Sequence, residues 1–332
     1  MSKTPVALVT GFLGSGKTTL ISRLLGHPDM GETAVIVNEL GEVGIDHHLL
    51  RRVDERTVLL RSGCVCCTLR GDLADELRDL LGRRERGEIP PFRRVVVETT
   101  GLADPAPIVY TLLSEPVVRH HYTLETVVAT IDAVNGLCHE ESLKQAAIAD
   151  TLVVTKCDLA ETATVVGRLE QLNPTADVIE ASFGDVEPAQ LFERPAHDPR
   201  DVTPSEHGHD GGIRAASLFL DDELDWTAFG VWLTMLLQAR GEDVLRIKGL
   251  LNVGAEGPLL VNGVQHAVHP PEHLDEWPDE DRRSRIVFIG PGFDGGELER
   301  SLAVFNRLSE GHGAAPPAPP PDSTWSGRSS VI

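Results

Sequence analysis

The 332-residue sequence predicts an α/β domain with a mostly parallel sheet, followed by a small α+β domain. Three observations lead there. Over roughly the first two hundred residues, short β-branched runs alternate with amphipathic stretches, the pattern of strands joined by crossover helices. Several of those runs, such as Val95-Val96-Val97 and Leu152-Val153-Val154, are apolar on both faces, as strands covered on each side must be. At Pro195 the composition shifts to His, Asp, Pro and Gly without any hydrophobic period, and a second series of strands and helices begins after Gly212.

In chain order, strands are expected over 5–10, 33–38, 57–60, 94–98, 127–132 and 151–155. Helices are expected over 18–25, 72–86, 105–113 and 163–172. Right-handed crossovers between parallel neighbours follow from this alternation. Residues 1–194 then form the first domain, 195–212 a linker and 213–310 the second domain. Within the latter, strands are expected over 213–220, 244–253, 259–267 and 285–290, mainly antiparallel, with helices over 225–240 and 296–308. The stretch 311–332 carries Ala-Ala-Pro-Pro-Ala-Pro-Pro-Pro and cannot bury enough apolar surface to order itself.

Charge and cysteine content narrow the class. Thirty Lys and Arg against 51 Asp and Glu leave a formal charge of −21, a field that repels nucleic acid and anionic membrane surfaces. No apolar run approaches the ~20 residues that span a bilayer. The first residues are too short and too glycine-broken for a signal peptide, so a cytoplasmic protein is expected, with neither nucleic acid nor membrane as partner. Of five cysteines, Cys64, Cys66 and Cys67 lie within four residues. A disulfide framework spaces its cysteines apart, and neighbours such as Cys66 and Cys67 rarely meet disulfide geometry. The cluster therefore reads as a metal or redox site. Cys138 and Cys157 are expected to be small buried hydrophobes.

Residues Gly11-Phe12-Leu13-Gly14-Ser15-Gly16-Lys17-Thr18 fit G-x-x-x-x-G-K-[ST], directly after a strand and opening a helix. Gly11, Gly14 and Gly16 let the backbone N–H groups of the loop, with those of Ser15 and Thr19, turn inward around phosphate. Lys17 supplies a point charge and the Thr18 hydroxyl a ligand for Mg²⁺. A ligand-free βα turn is the plain alternative, against which the flanking strand and helix argue. Glu98 ends an apolar strand and Gly101 follows three residues later. There a carboxylate can hold Mg²⁺ through water and a glycine N–H can sense a γ-phosphate.

Thr155-Lys156-Cys157-Asp158 closes another apolar strand. An Asp carboxylate accepts hydrogen bonds from guanine N1–H and N2–H, which adenine cannot offer, and the Lys156 stem can cover the purine. The usual guanine motif begins with Asn, where Thr155 stands here.

The three thiols lie between the 38–46 stretch and Glu98, flanks where γ-phosphate-dependent segments sit. They supply three soft ligands, and a tetrahedral ion needs a fourth. Glu39 heads the candidates, with Glu42, His47, His48, a water or a client protein. An open fourth position suits transfer of an ion, and thiolates favour Zn²⁺ or Cu⁺, with Co²⁺ sharing zinc's geometry. The His120-His121 and His207/His209 pairs carry less weight as ligands, since paired surface histidines are ordinary.

Residues 9–20, 37–46, Gly63-Cys-Val-Cys-Cys67 and Glu98-Thr-Thr-Gly-Leu-Ala-Asp-Pro105 together resemble the CobW-type GTPases, a metal-handling branch of the P-loop GTPases. The stretches 246–251 and 285–290 look like that family's small C-terminal domain. The resemblance implies a P-loop NTPase domain in which Lys17 and Thr18 serve phosphate and Mg²⁺, Lys156 and Asp158 serve guanine, and Cys64, Cys66 and Cys67 bind the cargo ion. It implies a metallochaperone using GTP, Mg²⁺ and Zn²⁺ or Co²⁺, with a metal-requiring client protein as partner and a homo-oligomer as one assembly. A cobalt-handling protein, a non-enzymatic zinc store or sensor, and an ATP-dependent kinase are the alternatives; Asp158 argues against the last.

Overall fold

The computed structural model describes residues 3–37, 58–61, 71–192 and 212–310. Its first part runs β1 (Thr4–Gly11), α1 (Lys17–Leu25), β2 (Thr33–Val37), β3 (Val58–Arg61), α2 (Gly71–Glu85), β4 (Arg94–Glu98), α3 (Ala106–Ser114), α4 (Pro116–His121), β5 (Tyr122–Asp132), α5 (Glu140–Ile148), β6 (Thr151–Thr155), α6 (Ala163–Leu172), β7 (Asp177–Glu180) and α7 (Pro188–Phe192). Seven strands pair in the order β3-β2-β4-β1-β5-β6-β7. All six pairings are parallel. The central β1 alternates its side chains between two cores. Val6 and Leu8 pack with Leu77, Ile108 and Leu112, whereas Ala7 and Val9 pack with Leu20, Ile21 and Leu24 of α1. Burial on both faces explains why these strands read as continuous apolar runs.

The second part is antiparallel: β8 (Ile213–Leu220), α8 (Trp226–Arg240), β9 (Arg246–Leu251), β10 (Leu259–Val264), β11 (Ala267–Val268), β12 (Glu272–His273), β13 (Ser284–Pro291) and α9 (Gly295–Glu310). Its strands run β11-β10-β9-β13-β8, with β12 pairing β10. One face carries α8 and α9 over a core of Phe229, Trp232, Phe288 and Phe293. From the rest of this part, Ala215, Leu245, Val264, Val287 and Ile289 join the α2–α3 core of the first sheet. The two parts are also pinned by Arg246, 1% exposed, which donates to the Ile148 carbonyl at 2.8 Å and to the Asp150 carboxylate. Asp150 in turn accepts the Val127 N–H at 2.9 Å.

The architecture is the expected one, with differences in detail. The strand expected over 259–267 is a hairpin, because Gln265 takes φ 50° and Val264 pairs with Ala267 across the turn. Pro105 caps its helix instead of beginning it. Strand β7 and the short helices α4, α5 and α7 were not expected. Helix α5 buries Gln145, Ala146, Ala147 and Ile148 in succession, which erases the helical period. Cys138 is exposed, not buried, since it sits in the loop before α5, where its thiol donates to the Asn135 carbonyl at 2.6 Å. Most of the 195–212 linker and the whole 311–332 stretch lie outside the described residues.

Candidate nucleotide site

The loop between β1 and α1 closes on itself. Ser15 N–H donates to the Phe12 carbonyl at 3.1 Å, and Gly16 caps α1 at φ 94°, a left-handed conformation that glycine adopts without steric cost. Gly14, at φ 73°, lies exposed at the crest. Gly11 is packed so tightly that a Cβ there would stand 2.2 Å from Thr130 Oγ1. Lys17 is buried and its Nζ donates to the Gly11 and Phe12 carbonyls at 2.8 and 3.1 Å, folding the ammonium over the loop. Thr19 points to solvent beside it.

Strand order delivers two neighbours to this loop. On one side β4 ends at Glu98, buried to 3% exposure, whose Oε1 accepts the Thr18 hydroxyl at 2.8 Å. The chain then returns under the loop. Thr99 N–H donates to the Val9 carbonyl at 2.9 Å, and its hydroxyl to Thr10 Oγ1 at 2.9 Å. Gly101 touches the loop itself, since a Cβ on it would lie 2.5 Å from the Leu13 nitrogen. Gln145 of α5, fully buried, fixes that stretch by donating to the Gly101 and Ala103 carbonyls at 3.2 and 3.0 Å.

On the other side stand β5 and β6. Thr130 Oγ1 pairs with Ser15 Oγ at 2.6 Å. Thr155 does not turn its hydroxyl outward. It donates to the Ser15 carbonyl at 2.7 Å and lies 3.3 Å from the Ile131 carbonyl, so it tethers the loop from below. Lys156 takes φ 57° and reaches Asp132 at 2.6 Å, while Asp158 is exposed beyond it. Burial works to raise the Asp132 carboxyl, but hydrogen bonds from Lys156, the Val134 amide and Asn135 hold it below its ordinary value.

The structure thus brings Gly11, Gly14, Ser15, Gly16, Lys17, Thr18, Thr19, Glu98, Gly101, Thr155, Lys156 and Asp158 to the carboxyl edge of one parallel sheet, where open α/β sheets receive ligands. Cys64, Cys66, Cys67 and Glu39, with Glu42, His47 and His48, lie outside the described residues. Among the described residues no cluster of three or more His, Cys, Asp or Glu is arranged to hold a metal, and His120 packs edge-to-face on His121. Asp132, Thr130 and Gln145 escaped the sequence reading. Only Asp132 carried a signal, being an acid that ends an apolar strand as Glu98 does.

Fold and loop define the class: a P-loop nucleotide-binding protein with an appended antiparallel domain. Residues 5–180 match the CobW/HypB/UreG nucleotide-binding domain and residues 213–306 the cobalamin synthesis protein cobW C-terminal domain. The chain belongs to the CobW/HypB/UreG family. It is 33% identical over 319 residues to the zinc chaperone YjiA of Escherichia coli K12, covering 91% of this chain and 99% of that one. With the zinc chaperone CobW of Pseudomonas aeruginosa it shares 30% identity, over 91% of each chain. The crystal structure of Zn(II)-bound YjiA GTPase from E. coli superposes with a TM-score of 0.73 at 30% identity, covering 92% of this chain and 99% of that one. No helix among the described residues is long and apolar enough to cross a membrane.

Proposed function

We propose that the protein is a GTP-hydrolysing metallochaperone that carries zinc at its C-x-C-C motif and couples delivery to a client protein to its nucleotide cycle. The observation that carries this reading is the 2.8 Å hydrogen bond from Thr18 to Glu98, which joins the phosphate loop to the strand-end acid. In this reading Lys17 balances the β- and γ-phosphates, the Gly101 N–H meets the γ-phosphate, and Asp158 accepts the guanine N1–H and N2–H. A hydroxyl beside a buried carboxylate is an oxygen donor set suited to a hard cation, so Thr18 and Glu98 would hold Mg²⁺. That ion supplies neutralisation of charge on the phosphate oxygens.

Strand register supports a link between the thiols and the nucleotide. Val37 pairs with Glu98 on one side and Arg61 on the other, so β2 and β3 end level with Glu98 at one sheet edge. The thiols follow β3 in sequence, and β3 ends at the sheet edge where a γ-phosphate would act. The names of the relatives, zinc chaperones with a Zn(II)-bound structure among them, favour zinc as cargo. A reducing compartment such as the cytoplasm keeps the thiols available.

The test is zinc titration with and without a non-hydrolysable GTP analogue, beside multiple-turnover phosphate release. The expected result is a zinc affinity that changes with nucleotide state and a turnover lost in Lys17→Ala. Equal zinc affinities in both states would refute the coupling.

A further inference from the structure

Four described non-glycine residues adopt positive φ: Glu32, Lys156, Phe183 and Gln265. Two of them stand on neighbouring segments at one edge of the nucleotide site. Ala181 N–H donates to the Val154 carbonyl at 2.8 Å and Cys157 N–H to the Ala181 carbonyl at 3.4 Å, so the chain leaving β7 runs alongside Thr155-Lys156-Cys157-Asp158. It then turns sharply, with Asp185 N–H donating to the Ser182 carbonyl at 3.1 Å. At Gly184, φ 71°, a Cβ would stand 3.1 Å from the Leu20 nitrogen and the Thr19 carbonyl, so the turn presses on the first turn of α1.

Phe183 occupies the tip of this turn, at φ 55° and 69% exposed. A bulky residue is rare in the left-handed region, and a backbone outlier held by its surroundings points toward function. Here the surroundings are the base-reading segment on one side and the helix that opens at the phosphate loop on the other. An exposed ring gains nothing from the protein's own core.

We propose that Phe183 is the aromatic cover of a purine pocket, its ring lying against the base whose edge Asp158 reads and which the Lys156 stem also borders. The proposal rests on the guanine-nucleotide reading of the site and assigns to Phe183 affinity for the base, with no part in the phosphates. Stacking on an aromatic side chain tolerates any base, so selection of guanine stays with Asp158.

The experiment compares the full-length protein with Phe183→Ala, Phe183→Leu and Phe183→Trp, measuring affinity for GDP and for inorganic tripolyphosphate. Phe183→Ala should weaken GDP by about 10-fold or more, as loss of one base–aromatic stack does, and leave tripolyphosphate binding unchanged. Phe183→Trp should retain GDP affinity, and Phe183→Leu should not. Unchanged GDP affinity in the Ala variant overturns the proposal. So does equal weakening of GDP and tripolyphosphate, which marks a collapsed turn. Thermal unfolding of each variant checks that the exposed position leaves the fold intact. Failure of the wild-type protein to bind GDP would overturn the guanine-nucleotide reading itself, before any variant is compared.

Discussion

Replacing Thr155 by Val removes one hydroxyl and keeps the β-branched shape. The side chain is 4% exposed, and its Oγ1 donates to the Ser15 carbonyl at 2.7 Å with the Ile131 carbonyl 3.3 Å away. Ile131 lies in the β5–β6 ladder, paired with Val154, so the Ser15 carbonyl bears most of the loss. A buried acceptor deprived of its donor costs about 1–2 kcal/mol. For a domain of this size that corresponds to a fall in Tm of about 2–8 °C. Ser15 belongs to the phosphate loop, so the loosened loop must be re-ordered each time phosphate binds. GTP, GDP and tripolyphosphate should therefore weaken by one common factor, up to about tenfold for 1.4 kcal/mol. The preference for GTP over ITP should not move, because the hydroxyl is engaged beneath the loop by the Ser15 and Ile131 carbonyls. Thermal melts and titrations with the four ligands measure all of this. A collapsed GTP/ITP ratio with an unchanged Tm would refute the tether and return Thr155 to base reading.

Asp158→Asn exchanges an acceptor for an amide whose N–H₂ matches the C2 carbonyl of xanthine, so preference should shift from GTP to XTP with stability unchanged; competition binding of the two decides it. Gly101→Ala places a Cβ 2.5 Å from the Leu13 nitrogen and 2.7 Å from its Cα, both backbone atoms that must move. Turnover should fall about 10- to 100-fold while GDP still binds, and phosphate release at wild-type rate would contradict the close contact. At the contact between the two sheets, burial and the nearby Arg246 charge push the His269 imidazole from 6.5 down to about 4, with Asp150 opposing. The unfolded chain then binds a proton that the folded one does not between those values. Stability is full above pH 6.5 and declines as pH falls toward 4, by on the order of 1.4 kcal/mol per unit. His269→Gln should flatten that part of the Tm–pH curve, and an unchanged slope would count against the buried imidazole.

What was legible in the sequence is what depends on near neighbours. The spacing from Gly11 to Thr18 is local, and so is the apolar run ending at Glu98; strand β4 and helix α6 have the bounds that periodicity set. Helix α5 was hidden because four successive buried residues carry no period, and Cys138 was misplaced because a loop position does not announce its exposure. Thr155 shows the deeper limit. Its motif named it as a base-side residue, yet its partner Ser15 is 140 positions away, and Thr130 reaches Ser15 across 115 and Gln145 reaches Gly101 across 44. Such contacts arise only once strand order has set β4, β1, β5 and β6 side by side. They also dissolve the difficulty raised by the missing Asn. Holding the Ser15 carbonyl requires a donor at hydrogen-bond distance and nothing more, and a threonine hydroxyl meets that need. In the proposed reading the base edge is left to Asp158, three residues on and exposed, so Thr155 in place of Asn does not weigh against guanine.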